Sequence, residues 1–418
     1  MARKLNTEQF ELYNPYHLGW GEVIAFPSTR NLLEYGNRIY NRYPARSVFL
    51  VPRAILSQYK DKGIKVLDPF MGSGTTAVET VMSGNMPYGL EMDPFARMVA
   101  DASSCVFTFA EIEEIITLKN SIDQNWRSYK AGVKPQLTGI ARWFKGNDLN
   151  ELLRLKSAVL DIVPEKYQKF FLITFADAIK PVSLMERQSL KPYISSKYAK
   201  ETKSVGESFD YSFDAHLEAL KEMADMNVES TPIQWLGTDA TDFSSENVQI
   251  DLAITSPPYI NALDYTRCIK VESSLCGTIN DSVAKELRQK QVGHERRRNQ
   301  HIIDVVVRAF QEYYDKIACV DKQRALTSLA YFNDIFKNLI CVKNILKVKG
   351  EYHMIIGDNI IRNIDIPTHN IISQLAKDAG FEHFGYYKYE IRDHRTSIPR
   401  NKENNKIQTE HVLMLRKV

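Results

Sequence analysis

No stretch of this chain approaches the roughly 18 to 20 uninterrupted apolar residues that a membrane span requires. The first residues, MARKLNTEQFELYNPYH, hold no apolar core of a secretory signal, so the sequence is read as cytoplasmic. Cysteine is sparse and scattered: Cys105, Cys268, Cys276, Cys319 and Cys341 form neither a CxxC pair nor a Cys/His ligand spacing. A disulfide framework and a structural zinc are therefore not expected, and no metal ligands are assigned. Glycine (19) and proline (16) are too few for a collagen-like or low-complexity chain. Charge of one sign is also lacking: 54 Lys and Arg against 51 Asp and Glu leave a net charge of +3, which says little about partners. What is present is ordinary for a folded protein of one large or two medium domains, with 418 residues, 44% of them hydrophobic and 25% charged.

The pattern is that of an α/β fold. GIKVLDPFMGSGTTAVETVMSG reads as a short strand, a glycine-rich turn and a helix, and NMPYGLEMDPFARMVA supplies a second strand that ends in acid. Two strands joined by a helix of this length make a βαβ unit, which builds parallel sheets. From about Phe107 to Asn227 the periodicity is helical throughout. The sheet then resumes with TPIQWLGTDATDF and VQIDLAITSPPYINALDY, and the C-terminal part adds EYHMIIGD, EHFGYYKYEI and EHVLMLRKV. This divides the chain into a first core part (1–106), an inserted helical subdomain (107–228) and a second core part (229–418).

In VLDPFMGSGTT, Gly72 and Gly74 fall between strand and helix, where a missing Cβ lets the backbone approach a ligand closely. The run is not the dinucleotide fingerprint GxGxxG and lacks the GK[ST] ending of a phosphate loop, yet it points to a nucleotide-type ligand. Glu91 ends the next strand, the position from which an acid accepts hydrogen bonds from ribose hydroxyls in such folds. The sharpest signal is Thr255-Ser256-Pro257-Pro258-Tyr259, at the end of an apolar strand. Two successive prolines fix both φ angles and remove two donors, leaving a rigid turn of acceptors beside an aromatic ring. Such a turn suits an exocyclic amine on a flat base: Ser256 Oγ and a backbone carbonyl accept its hydrogens while Tyr259 stacks on the ring. Acceptors that favour pyramidal geometry at that nitrogen free its lone pair for attack.

Taken together, DPFMGSGTT and TSPPY resemble the S-adenosylmethionine-dependent DNA amino-methyltransferases, which methylate cytosine at N4 or adenine at N6. The resemblance covers about two thirds of the chain. It implies a Rossmann-like class I methyltransferase fold, with a seven-stranded mostly parallel sheet. It further implies that Asp68, Pro69, Phe70, Gly72, Gly74, Thr75 and Thr76 surround the methionine part of the cofactor, with Glu91 on the ribose and Met92 on the adenine. Asp239 in GTDATDF matches the acid that meets the adenine amine, with Ala240 beside it, and Ser256, Pro257, Pro258 and Tyr259 form the catalytic turn. Tyr43, Pro44 and Ala45 resemble the element that closes over the methionine end.

The glycine turn precedes the catalytic turn here, and the helical insert separates the ribose-binding strand from GTDA, so the recognition region cannot be carried over by position. The insert and the basic segment at about 285–325 are the candidates for DNA contact, with Arg288, Lys290, Arg296, Arg297 and Arg298 as phosphate contacts. A second basic stretch, Arg187 to Lys203, interleaves cations with polar and aromatic residues. Serine before Pro-Pro-Tyr implies cytosine N4 as the methylated atom, with adenine N6 the alternative. The base must leave the duplex to be reached. Asp264 in ALDYTR is a candidate helper for proton loss. The implied partners are double-stranded DNA and, on a separate chain, a cognate restriction endonuclease. Two rivals stay open: an RNA base methyltransferase, and an inactive DNA-binding specificity partner with a vestigial cofactor pocket.

Overall fold

The computed structural model describes residues 13–27, 34–40, 42–187, 189–197, 200–260, 263–294, 301–391 and 408–418. Ten strands lie among them: β1 (Glu22–Ile24), β2 (Lys65–Asp68), β3 (Met86–Leu90), β4 (Gln234–Gly237), β5 (Ile250–Thr255), β6 (Leu346–Gly357), β7 (Asn359–Ile361), β8 (Ile364–Ile366), β9 (Phe381–Glu390) and β10 (Thr409–Lys417). β7 and β8 form a separate hairpin, and the other eight make one sheet in the order β1-β9-β10-β6-β5-β2-β3-β4. β2 to β6 pair in parallel, and β10 runs antiparallel between β6 and β9. This is the Rossmann-like fold expected from sequence; to the anticipated seven strands it adds β1, a three-residue edge strand parallel to β9.

The strand order turns around between β2 and β5. From β2 the chain proceeds outward through β3 and β4, and from β5 it proceeds the other way through β6. In open parallel sheets the crevice beyond the carboxyl ends of strands at such a reversal is where ligands bind. β2 ends at Asp68 and β5 at Thr255, so the two motif turns leave the sheet side by side at that point.

The helices are α1 (Leu50–Leu56), α2 (Thr75–Met82), α3 (Pro94–Ser104), α4 (Phe109–Asn125), α5 (Asp148–Ile162), α6 (Glu165–Val182), α7 (Val205–Asp225), α8 (Tyr265–Cys276), α9 (Asp281–Lys290), α10 (Asp304–Ala318), α11 (Lys322–Ile345) and α12 (Thr368–Asp378). α3 starts where Asp93 caps the N–H groups of Phe95 and Ala96 and Pro94 fills the first turn. α4 starts at a capping box between Thr108 and Glu111. α4 to α7 occupy the segment read as an insert, but they share one continuous apolar core with α3 and α8, including Phe95, Val99, Phe171, Phe175, Ile269 and Leu275. The insert is thus fused to the helices that follow β3 and β5. Among the described residues no helix is long and apolar enough to cross a membrane.

Candidate active site

At the strand reversal lies a cavity of about 180 Å³. Its lining brings together Asp68, Pro69, Phe70, Gly72 and Thr75 from the first turn, Glu91 and Met92 from the end of β3, Asp239 and Ala240 after β4, and Ser256 and Pro258 after β5. Tyr43, Pro44 and Ala45 close one side, and Ala45 adopts a φ of 51°, a left-handed conformation that costs an L-residue about 1 kcal/mol. Gly74, Thr76, Pro257 and Tyr259 are not among the residues that line the cavity. At Gly74, φ is +82°, and a Cβ there would stand 2.8 Å from Cα and Cβ of Ala100, so the turn and α3 pack together only with glycine at this position.

Hydrogen bonds fix the turns to each other. The buried Asp68 carboxylate accepts from Phe70 N–H at 3.0 Å and from Thr255 Oγ1 at 2.5 Å, which ties the glycine turn to the catalytic turn. Burial pushes this carboxyl up to about 6, against the opposing effect of those donors and Thr76. Glu91 accepts from the N–H of Gly72 through Oε2 and of Asp93 through Oε1, both at 2.8 Å. Burial raises it to about 7, with the nearby Asp93 charge adding to the rise and the backbone donors opposing it. Asp239 accepts from Thr241 N–H and Oγ1 through Oδ1. Ser256 differs from its neighbour Thr255: its hydroxyl makes no hydrogen bond to the described chain, although it lines the cavity. It is therefore available to a ligand.

Several cavity residues carried no signal in the sequence: Tyr265 and Thr266, which open α8, and Leu287, Gln291 and Val292, which with the phosphate candidate Lys290 close the opposite wall at the end of α9. The first part of the basic segment therefore faces the cavity. Lys290 lines it and pairs with Glu286 at 2.7 Å, while Arg288 lies 3.7 Å from Asp264. Arg296, Arg297 and Arg298 lie outside the described residues. Asp264 is not in the cavity wall: it caps α8 through Arg267 N–H at 2.9 Å and faces Arg288 and His294. In the Arg187 to Lys203 stretch, Lys200 donates to the carbonyls of Lys180, Ser183 and Met185, which secures the C-terminal end of α6.

Two clusters near the catalytic edge had no local signature. The Tyr259 hydroxyl donates to Oε1 of Glu410 on β10, whose other oxygen accepts from Tyr389. Burial holds the Glu410 carboxyl up to about 7. Glu410 thus positions the Tyr259 ring of the turn that follows β5. Replacing it by leucine would leave two tyrosine hydroxyls without their acceptor, at about 1–3 kcal/mol for a buried unsatisfied group. We expect Glu410→Leu to lower kcat roughly tenfold with cofactor affinity intact, and Glu410→Gln to restore most of it. Equal kcat in both variants and the parent would refute the positioning role.

The second cluster, Asp358, His369 and His411, places potential ligand atoms within 4.8 Å of one another. Its imidazole planes are 12° apart with centroids at 3.9 Å, so their in-plane lone pairs run side by side rather than converging on one ion. His369 Nδ1 already contacts Asp358 Oδ1 at 2.7 Å, and the Tyr386 hydroxyl contacts His411 Nδ1 at 2.7 Å. The cluster is a hydrogen-bonded stack that ties α12 to the sheet.

No protein-family model matches the chain. Among curated proteins it is 23% identical over 423 residues to the type II methyltransferase M.MvaI of Kocuria varians, an alignment covering 94% of this chain and 92% of that protein. It is 22% identical to the type II methyltransferase M.AvaI of a Nostoc species, over 86% of this chain and 81% of the relative. It is 24% identical to the type II methyltransferase M.BsoBI of Geobacillus stearothermophilus, over 55% of this chain and 50% of the relative. With both motif turns meeting on one cavity at the reversal of a Rossmann-like sheet, the chain is similar to type II DNA methyltransferases over most of its length.

Proposed function

We propose that the protein is a type II DNA methyltransferase of a restriction–modification system that uses S-adenosylmethionine and modifies N4 of a flipped cytosine. The observation that carries this reading is the Thr255 Oγ1 to Asp68 hydrogen bond of 2.5 Å, which holds the glycine turn and the Ser256-Pro257-Pro258-Tyr259 turn on one cavity. The residues present fit the cofactor. Glycine at 72 leaves open backbone toward the cavity, where the nearest side-chain atom to an added Cβ is 3.8 Å away. Among the residues that line the cavity, Glu91 would hold the ribose, Met92 would pack on the adenine and Asp239 would meet its amine, while Asp68, Pro69, Phe70 and Thr75 would surround the methionine part. When bound, the cofactor supplies an electrophilic methyl group on a sulfonium.

The chain's own residues supply orientation and polarity. Ser256 Oγ, with no internal partner, accepts one hydrogen of the base's exocyclic amine, and a carbonyl of the rigid proline turn accepts the other. These acceptors stabilise the positive charge that develops on nitrogen as it attacks, more than they stabilise the neutral amine. Tyr259, anchored by Glu410, gives the flipped base a stacking plane. The proton on the methylated nitrogen leaves to solvent, so no side-chain base is required.

The test is methyl transfer from labelled S-adenosylmethionine to unmethylated genomic DNA, followed by nucleoside digestion and mass spectrometry. 4-Methylcytosine is the expected product. 6-Methyladenine would overturn the choice of base and leave the enzyme class, while label on RNA alone would overturn DNA as substrate.

A further inference from the structure

One strongly charged surface beside the cavity is not used by the reading above. Arg142, in the short turn Ile140–Trp143 of the insert, lies with its guanidinium carbon 4.7 Å from the centroid of the Trp143 ring. Lys270 on α8 reaches the same ring from the other part of the chain, with Nζ at 5.6 Å from a centroid of that indole. Arg267 stands one turn earlier on α8, directly after Tyr265 and Thr266 of the cavity wall. Arg288 on α9 adjoins Leu287, also of the cavity wall.

Three of these cations act on the fourth: after burial, the charges of Arg142, Arg267 and Arg288 pull the Lys270 ammonium below its usual value, against the opposing charge of Asp281. Acids in the neighbourhood are already engaged. Asp264 caps α8 and faces Arg288 and His294, and Asp281 accepts from Thr138 N–H at 2.8 Å and Oγ1 at 2.6 Å. Among the described residues, Arg142, Arg267 and Lys270 make no ion pair. A surface with this many donors, so few free acceptors and mutual repulsion is stabilised by a polyanion with regularly spaced oxygens.

We infer that Arg142, Arg267 and Lys270 form a phosphate-binding face that carries a DNA strand past the cavity mouth, so that the helical insert shares in gripping the duplex. The inference rests on the function proposed above and deepens it. It places backbone contact on α8 and on the Arg142 turn as well as on the basic segment that follows. Contacts of this kind set position and affinity without reading sequence, so an arbitrary duplex reports on them.

The experiment is a salt titration of binding to a short end-labelled DNA duplex by the full chain and by the Arg142→Gln/Lys270→Gln double variant, with S-adenosylhomocysteine affinity measured in parallel. The slope of log K against log salt should fall by about 0.9 per lost phosphate contact, close to 2 in total, with duplex affinity down roughly 10- to 100-fold at low salt and cofactor-product affinity unchanged. An unchanged slope with duplex binding intact overturns the face and leaves the enzyme reading standing. A parent protein that binds S-adenosylhomocysteine but no duplex overturns the DNA reading itself. Should the double variant unfold, Arg267→Gln, at an exposed position, is measured in its place and should lower the slope by about 0.9.

Discussion

Turnover of a Ser256→Ala enzyme is expected to fall on the order of 10²- to 10³-fold, with affinity for S-adenosylmethionine unchanged. The substitution removes only an oxygen. Ser256 Oγ bonds to nothing within the described chain, so its loss leaves no internal partner unsatisfied, and the proline turn with its tie to Asp68 through Thr255 stays in place. An interaction made only as positive charge grows on the attacking nitrogen affects the chemical step and not the ground-state cofactor complex. Ser256→Asn, which keeps a carbonyl acceptor at this position, should recover part of the loss. Single-turnover methyl transfer with saturating DNA, alongside equilibrium cofactor binding, checks both. A Ser256→Ala rate equal to the parent would remove Ser256 from the chemistry. A parallel loss of cofactor affinity would make its role structural.

The strand sequences and both turns were legible because each carries a local signature. Short apolar runs bounded by turn residues mark β2 and β5, and glycine and proline dictate backbone geometry in the turns that follow them. The cavity assembled from those turns follows from strand order, which obeys general topological rules. What escaped has long-range causes. Gln291 and Val292 reach the cavity because α9 packs across its mouth, and nothing in KELRQK distinguishes a helix that covers a pocket from one that meets phosphate. Arg288 and Lys290 were read from charge alone; in the fold each also faces an acid, Asp264 and Glu286. Glu410 meets Tyr259 across 151 residues of sequence, through a strand whose pairing could not be inferred locally. β1, at three residues on the sheet edge, is too short for an alternating pattern to show.

Cofactor affinity is expected to strengthen as pH rises from about 6 to 8, and to lose both this dependence and most of its strength in Glu91→Gln. Glu91 is raised to about 7 because its carboxyl is buried at the cavity edge, with Asp93 adding to the rise. An ordinary unfolded glutamate titrates near 4.3, so between roughly pH 4.3 and 7 the folded chain holds a proton that the unfolded chain has released. The sign follows directly: this carboxyl favours the fold fully below the unfolded value, and that contribution is lost as pH rises through about 7. By pH 8 the free protein carries a cost of at most roughly 4 kcal/mol from this one group. Ribose hydroxyls donate more strongly to Glu91 when it is ionised, so a bound nucleoside offsets part of that cost, and binding releases protons near and below pH 7. Glutamine keeps the shape and an acceptor for Gly72 N–H and has no charge to be compensated, a relief that outweighs the loss of about 1–3 kcal/mol from turning its NH2 toward Asp93 N–H. The variant without cofactor should therefore melt higher than the parent at pH 8 and no differently near pH 4, while binding S-adenosylmethionine roughly 10- to 100-fold more weakly at pH 8 because a charged acceptor has been lost. Thermal melts across pH with and without cofactor measure both effects. A Glu91→Gln protein that is less stable at pH 8 and binds as tightly as the parent would show that the glutamate serves the turn alone. A gain in stability joined to a loss of binding would identify the end of β3 as a place where folding stability is given up to recognise a ribose.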